Sequence, residues 1–119
     1  MASLIDCITF DCADPQRIAA FWAAALGYET AEDKGDWIAL RRPQDAAPLL
    51  GFQQVPEPKA VKNRVHLDLK PTGDGTMEAE VARLEGLGAR AVRLVTNSPD
   101  SMHTIMQDPE GNEFCVVRP

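Results

Sequence analysis

An internal repeat limits the fold more than any other feature of this chain. Cys7-Ile8-Thr9-Phe10-Asp11-Cys12 and Arg64-Val65-His66-Leu67-Asp68-Leu69 both alternate apolar and polar residues, the period-two pattern of a strand with one buried face. Each polar face ends on an aspartate, Asp11 in the first copy and Asp68 in the second. Each stretch leads towards an amphipathic helix with a glycine at its end, Ala25-Leu26-Gly27 in one half and Gly86-Leu87-Gly88 in the other. Three further strand-like segments complete each half. A unit of four strands and one helix buries only one face of its sheet, so two such units are expected to supply cover for one another.

In the first half, Asp14-Pro15 reads as an N-cap followed by proline at the first helical position. Ile18, Phe21, Trp22, Ala25 and Leu26 then fall on one helical stripe. The spacing predicts a helix over 15–26, with Phe21 and Trp22 in the core, and strands over 28–30, 37–41 and 49–55. Pro56-Glu57-Pro58-Lys59 disfavours regular structure and reads as a linker. The second half is predicted as strand 64–69, helix 76–87 and strands 90–94, 102–107 and 113–118. Met77, Val81, Leu84 and Leu87 form the second stripe, and Asp108-Pro109-Glu110-Gly111-Asn112 has turn composition. The expected class is α+β: two βαβββ modules, about 1–58 and 62–119, related by a pseudo-two-fold axis. Together they are expected to make one domain, a half-open barrel with the helices outside.

Composition narrows the function classes. A net charge of -6, with twelve Lys and Arg that do not cluster, argues against a nucleic-acid partner. No apolar run approaches the roughly 20 residues a membrane span needs, and no signal peptide is evident at Met1-Ala2-Ser3-Leu4, so no membrane partner and a cytoplasmic location are expected. Cys7, Cys12 and Cys115 lack Cys-x-x-Cys spacing and read as reduced thiols. Gly73-Asp74-Gly75 lacks the other residues of a phosphate-binding loop and is read as a plain loop. No nucleophile-elbow motif occurs.

Strand alternation puts Cys7, Thr9 and Asp11 on one face and Arg64, His66 and Asp68 on the equivalent face of the second module. The Val65, Leu67 and Leu69 side is expected to pack on a helix, and the polar side to line a cavity. His66 and Asp68 are the sharpest pair: a base or ligand-binding imidazole beside a carboxylate. Cys7, His66 and Cys115 have zinc-type donor chemistry, and Asp11, Asp68 and Glu113 carry the oxygens a harder cation would want. Trp37 opens a strand and is a candidate wall for an apolar or aromatic ligand. His103 is read as a solvated strand or turn residue.

Asp14-Pro15-Gln16-Arg17 through Phe21-Trp22 to Leu26-Gly27 resembles the first helix of the vicinal oxygen chelate superfamily, which includes glyoxalase I, the bleomycin-resistance proteins and the extradiol dioxygenases. The segments 64–69 and 108–115 look like the matching parts of its small, glyoxalase-like bacterial members. The resemblance covers essentially the whole chain. It implies a small-molecule ligand held in a cavity between the modules, and a homodimer. In metal-dependent members it implies four ligands: His or Gln on the first strand, Glu on the fourth, His on the fifth and Glu on the eighth. Those positions fall here on Cys7, on Gln53 or Gly51, on His66 or Arg64, and on Cys115. Both Glu positions lack a carboxylate. The expectation is therefore a binding protein without metal or other cofactor, with Cys7, Thr9, Asp11, Trp37, Gln53, Arg64, His66, Asp68, Glu113 and Cys115 around its ligand. The alternative is a divalent-metal-dependent lyase or isomerase of the glyoxalase I type.

Overall fold

A computed structural model describes all 119 residues, and the chain divides into two compact units, Met1–Pro58 and Lys59–Pro119. The first contains β1 (Cys7–Cys12), α1 (Pro15–Leu26), β2 (Glu29–Asp33), β3 (Trp37–Arg41) and β4 (Leu49–Gln54). The second contains β5 (Asp68–Leu69), α2 (Met77–Gly86), β6 (Arg90–Ser98), β7 (Ser101–Gln107) and β8 (Glu113–Val117). Both are βαβββ modules of the α+β class. Their sheets have equivalent strand orders, β1-β4-β3-β2 and β5-β8-β7-β6, with one parallel pair in each, β1 with β4 and β5 with β8. No helix is long and apolar enough to cross a membrane.

Local signals account for α1. The Asp14 side chain accepts the Arg17 N–H at 3.2 Å, and Pro15 occupies the first turn, where its missing donor costs nothing. Gly27 ends the helix in the left-handed region, φ 69°, with its N–H donated to Ala23 O. The predicted stripe packs as one unit: Ile18, Phe21, Trp22 and Ala25 are buried. Trp22 meets Phe21 edge-on at 5.2 Å between centroids and lies 5.5 Å from Phe10 of β1, which in turn lies 5.3 Å from Phe52 of β4. These contacts assign the Phe10–Phe52 face of the first sheet to the helix, leaving Cys7, Thr9, Asp11, Gly51 and Gln53 on the other.

The second module departs from expectation at four places. The strand expected over 64–69 is regular only at Asp68–Leu69, and Val65 is 77% exposed rather than packed on a helix. Extending the Asp68↔Cys115 register backwards would set 64–66 beside 111–113. The backbone there is already committed: Gly111 N–H bonds Asp108 O, and Asn112 N–H bonds the Asp108 carboxylate. Glu113 O accepts instead from the Asn63 side chain. Secondly, Leu87 is 38% exposed, because α2 ends at Gly86 and buries chiefly Met77 and Leu84. Thirdly, Gly88 does not reproduce the Gly27 cap: Leu87 is the cap residue, in a right-handed conformation, and Gly88 follows at φ 117°. Fourthly, β6 runs on to Ser98, paired with Ser101 across a tight hairpin. In the first module, β2 likewise extends to Asp33, with a bulge between Thr30 and Glu32.

Candidate functional site

In the first module the helix-free face is organised by a residue without a side chain. Gly51 lies in β4 opposite Thr9 of β1 and Ala39 of β3, and the Trp37 ring lies over it. A Cβ built on Gly51 would stand 2.2 Å from Trp37 Cη2, 2.8 Å from Cζ3 and 3.0 Å from Cys7 Sγ. Indole and thiol therefore converge on a space that only glycine leaves open. The Cys7 thiol also lies 3.5 Å from the Thr9 hydroxyl. Thr9 and Asp11 are exposed on this face, while Trp37 and Gln53 are half-buried. The Gln53 amide is engaged elsewhere, donating to Asp36 O at 3.3 Å and Gln54 O at 3.5 Å.

In the second module, parallel pairing sets Asp68 opposite Cys115, and Cys115 N–H donates to Leu67 O at 2.9 Å. His66 lies just before the strand, with Nδ1 3.0 Å from Asp68 Oδ1. His66, Asp68 and Cys115 each offer a ligand atom, and the three atoms lie within 4.8 Å of one another. His66 and Asp68 are exposed, whereas Cys115 is buried at 7%. Burial pushes the Cys115 thiol up from its ordinary range; the Asp68 charge and a hydrogen bond to Asp68 add to this, against a weaker pull from Lys62. The thiol is thus held protonated beside a carboxylate, the reverse of an activated nucleophile.

Glu113 shares the Cys115 face of β8 but serves the backbone. Its carboxylate accepts the Asn63 N–H at 2.8 Å and pairs with Lys59 Nζ at 3.0 Å. Burial raises the carboxyl, but the Asn63 N–H and the Lys59 ammonium together outweigh it and hold the group at about 2. Lys59 ends the linker and Asn63 precedes the expected strand 64–69, and nothing in their local sequence announces this role. Arg64 is exposed and outside the ladder. His103 is half-buried in β7, opposite Val117.

The four-ligand metal set implied by the resemblance does not fit these residues. In the first module the place of a fourth-strand carboxylate at Gly51 is taken by the Trp37 indole, and the alternative, Gln53, spends its amide on backbone oxygens. The second module keeps imidazole and sulfur donors and adds Asp68.

The family model described as "Glyoxalase-like domain" matches residues 7–117. No curated protein matches the sequence. Among solved structures, a glyoxalase/bleomycin resistance protein/dioxygenase family enzyme from Burkholderia phytofirmans PsJN is similar with a TM-score of 0.78 at 15% identity, covering 97% of this chain and 98% of that one. The fosfomycin resistance protein FosX from Mesorhizobium loti is similar at 0.73 and 13% identity, covering 100% and 93%. A mutant FosX from Listeria monocytogenes, complexed with Mn(II) and a dihydroxypropylphosphonic acid, is similar at 0.76 and 13% identity, covering 98% and 90%. At such identities the likeness is one of fold.

Proposed function

The chain belongs to the glyoxalase-like domain family of the vicinal oxygen chelate superfamily, and from that premise we propose that it binds a small molecule on the helix-free faces of its sheets, without the four-ligand metal set of the metal-dependent members. One observation carries this reading: the Trp37 indole laid against Gly51 beside the Cys7 thiol. An aromatic wall next to the exposed Thr9 and Asp11 combines apolar surface with a few placed polar groups, which is the make-up of a small-molecule site. His66 and Asp68 add an imidazole–carboxylate pair on the second module. The ligand favoured by this set has a flat apolar part and at least one hydrogen-bonding group.

A thermal-shift screen of chelator-treated protein tests it, run in parallel on wild type and Trp37→Ala. Ligands that raise the wild-type Tm and lose that effect in the variant are expected, since binding to the native state stabilises by mass action. An identical hit profile in both proteins would remove Trp37 from the site and sink the reading.

The second reading is a divalent-metal-dependent lyase or isomerase of the glyoxalase I type. Its support is the His66, Asp68 and Cys115 cluster. It requires that ligand hits vanish on chelation and return with metal, whereas the first requires that they survive.

A further inference from the structure

We propose that the helix-free face of the first module takes an organic cation, an ammonium or amidinium group carried on a flat apolar body. The proposal rests on the small-molecule reading of this face and adds the charge of the ligand. Register fixes the geometry. Gln53 of β4 is the partner of both Asp11 in β1 and Trp37 in β3, while Gly51, two residues back, faces Thr9 and carries the indole. Asp11 is thus one strand across and one pleat along from Gly51, roughly 8 Å between backbones. A nitrogen about 3 Å from the carboxylate and within about 6 Å of the ring centroid spans that distance.

Charge and hydrogen-bonding capacity select the sign. Asp11 is exposed and stands in no ion pair. The other charged residue that β1, β3 and β4 place on this face is Arg41, two beyond Ala39. It is already held by Glu29, whose Oε1 accepts from Nε at 2.9 Å and from Nη2 at 2.6 Å. The Gln53 amide nitrogen is turned towards the Asp36 and Gln54 carbonyls, which leaves its oxygen as an acceptor. Thr9 and Cys7 contribute a hydroxyl and a thiol 3.5 Å apart, neutral groups that serve either way. The set therefore offers acceptors and an uncompensated negative charge, with no unpaired cation for an anionic ligand. The indole adds to this bias, because its π-system attracts cations. So does the module as a whole: residues 1–58 hold nine Asp and Glu against four Lys and Arg, a surplus that draws cations from a distance.

The test titrates the full-length protein with three ligands of one shape: naphthylmethylammonium, naphthylmethanol and naphthoate. Binding is followed by the indole N–H resonance of Trp37, assigned by its loss in Trp37→Phe. The ammonium is expected to shift that resonance saturably and to bind about 10-fold more tightly than the alcohol, with the carboxylate weakest. Raising the salt to about 0.5 M narrows the gap. Asp11→Asn, an isosteric change at an exposed position, costs the ammonium about 3-fold or more and leaves the alcohol within about 2-fold, so the alcohol checks that the site is intact. If the alcohol binds as tightly as the ammonium, if the carboxylate binds best, or if the ammonium keeps its full advantage in Asp11→Asn, the proposal is overturned while a small-molecule site at Trp37 stands. If none of the three moves the Trp37 resonance, the ring is not at a ligand site and both fall.

Discussion

The Trp37 indole occupies the space that a side chain on Gly51 would need, with 2.2 Å between Cη2 and the position of the missing Cβ. Gly51 is buried in β4, and its cross-strand neighbour is Ala39, the residue two beyond Trp37 in β3. Here the missing side chain is a packing requirement: the strand forgoes intrinsic stability at Gly51 so that an aromatic ring can lie on the sheet.

Gly51→Ala is therefore expected to cost about 1–3 kcal/mol, the usual range for overpacking, and to displace the indole. Denaturant unfolding measures the first effect and Trp37 emission the second, with Trp37→Phe used to subtract the contribution of buried Trp22. The decisive measurement is a double-mutant cycle. In a Trp37→Ala background the added methyl meets only the Cys7 sulfur, at 3.0 Å, so Gly51→Ala should cost clearly less there. Additive costs would show that the indole does not occupy the position described.

How far this was legible in advance depends on whether a signal is local. Helix α1 follows its predicted bounds because Asp14, Pro15 and Gly27 act within their own turn. The 64–69 alternation is equally local, yet only Asp68 and Leu69 pair. A strand needs free partner groups, and those near Gly111–Glu113 are consumed by Asp108 and Asn63. The closeness of His66 to Asp68 follows from their spacing. The arrival of Cys115 beside them requires the parallel register, which no single segment encodes. Likewise a glycine in a strand signals close approach without naming the approaching group; only the β3–β4 register brings Trp37 to it.

Glu113 gives the module an acid limit. Its carboxyl is held at about 2 in the folded protein against an ordinary 4.5, so the unfolded chain binds more protons than the native one between those values. Stability from this group is thus complete above about pH 4.5 and is lost as the pH falls towards 2, an effect of at most ~3 kcal/mol by linkage. Urea unfolding across that window should show the decline in wild type and a flattened curve in Glu113→Gln. Lys59→Met should lessen the decline without abolishing it, because the Asn63 N–H still favours the charged carboxylate. Equal slopes in wild type and Glu113→Gln would exclude Glu113 as the source.

Asp108 organises the turn that both denies 64–66 a strand partner and leads into β8. It is 4% exposed, and its Oδ1 accepts the Glu110 N–H at 2.9 Å and the Asn112 N–H at 3.0 Å, while the Asn112 side-chain amide reaches both carboxylate oxygens. Asp108 N–H closes the loop on Asn112 O at 2.9 Å. Asp108→Ala strands these half-buried donors and is expected to cost about 1–3 kcal/mol. Asp108→Asn retains one acceptor oxygen but loses the charge that strengthens the bonds, so it should fall between alanine and wild type. Because one side chain changes little of the surface exposed on unfolding, the denaturation midpoint should move with little change in slope. A loss below ~0.5 kcal/mol in Asp108→Ala, the range of ordinary surface substitutions, would show that water replaces the carboxylate and that the turn holds its shape without it.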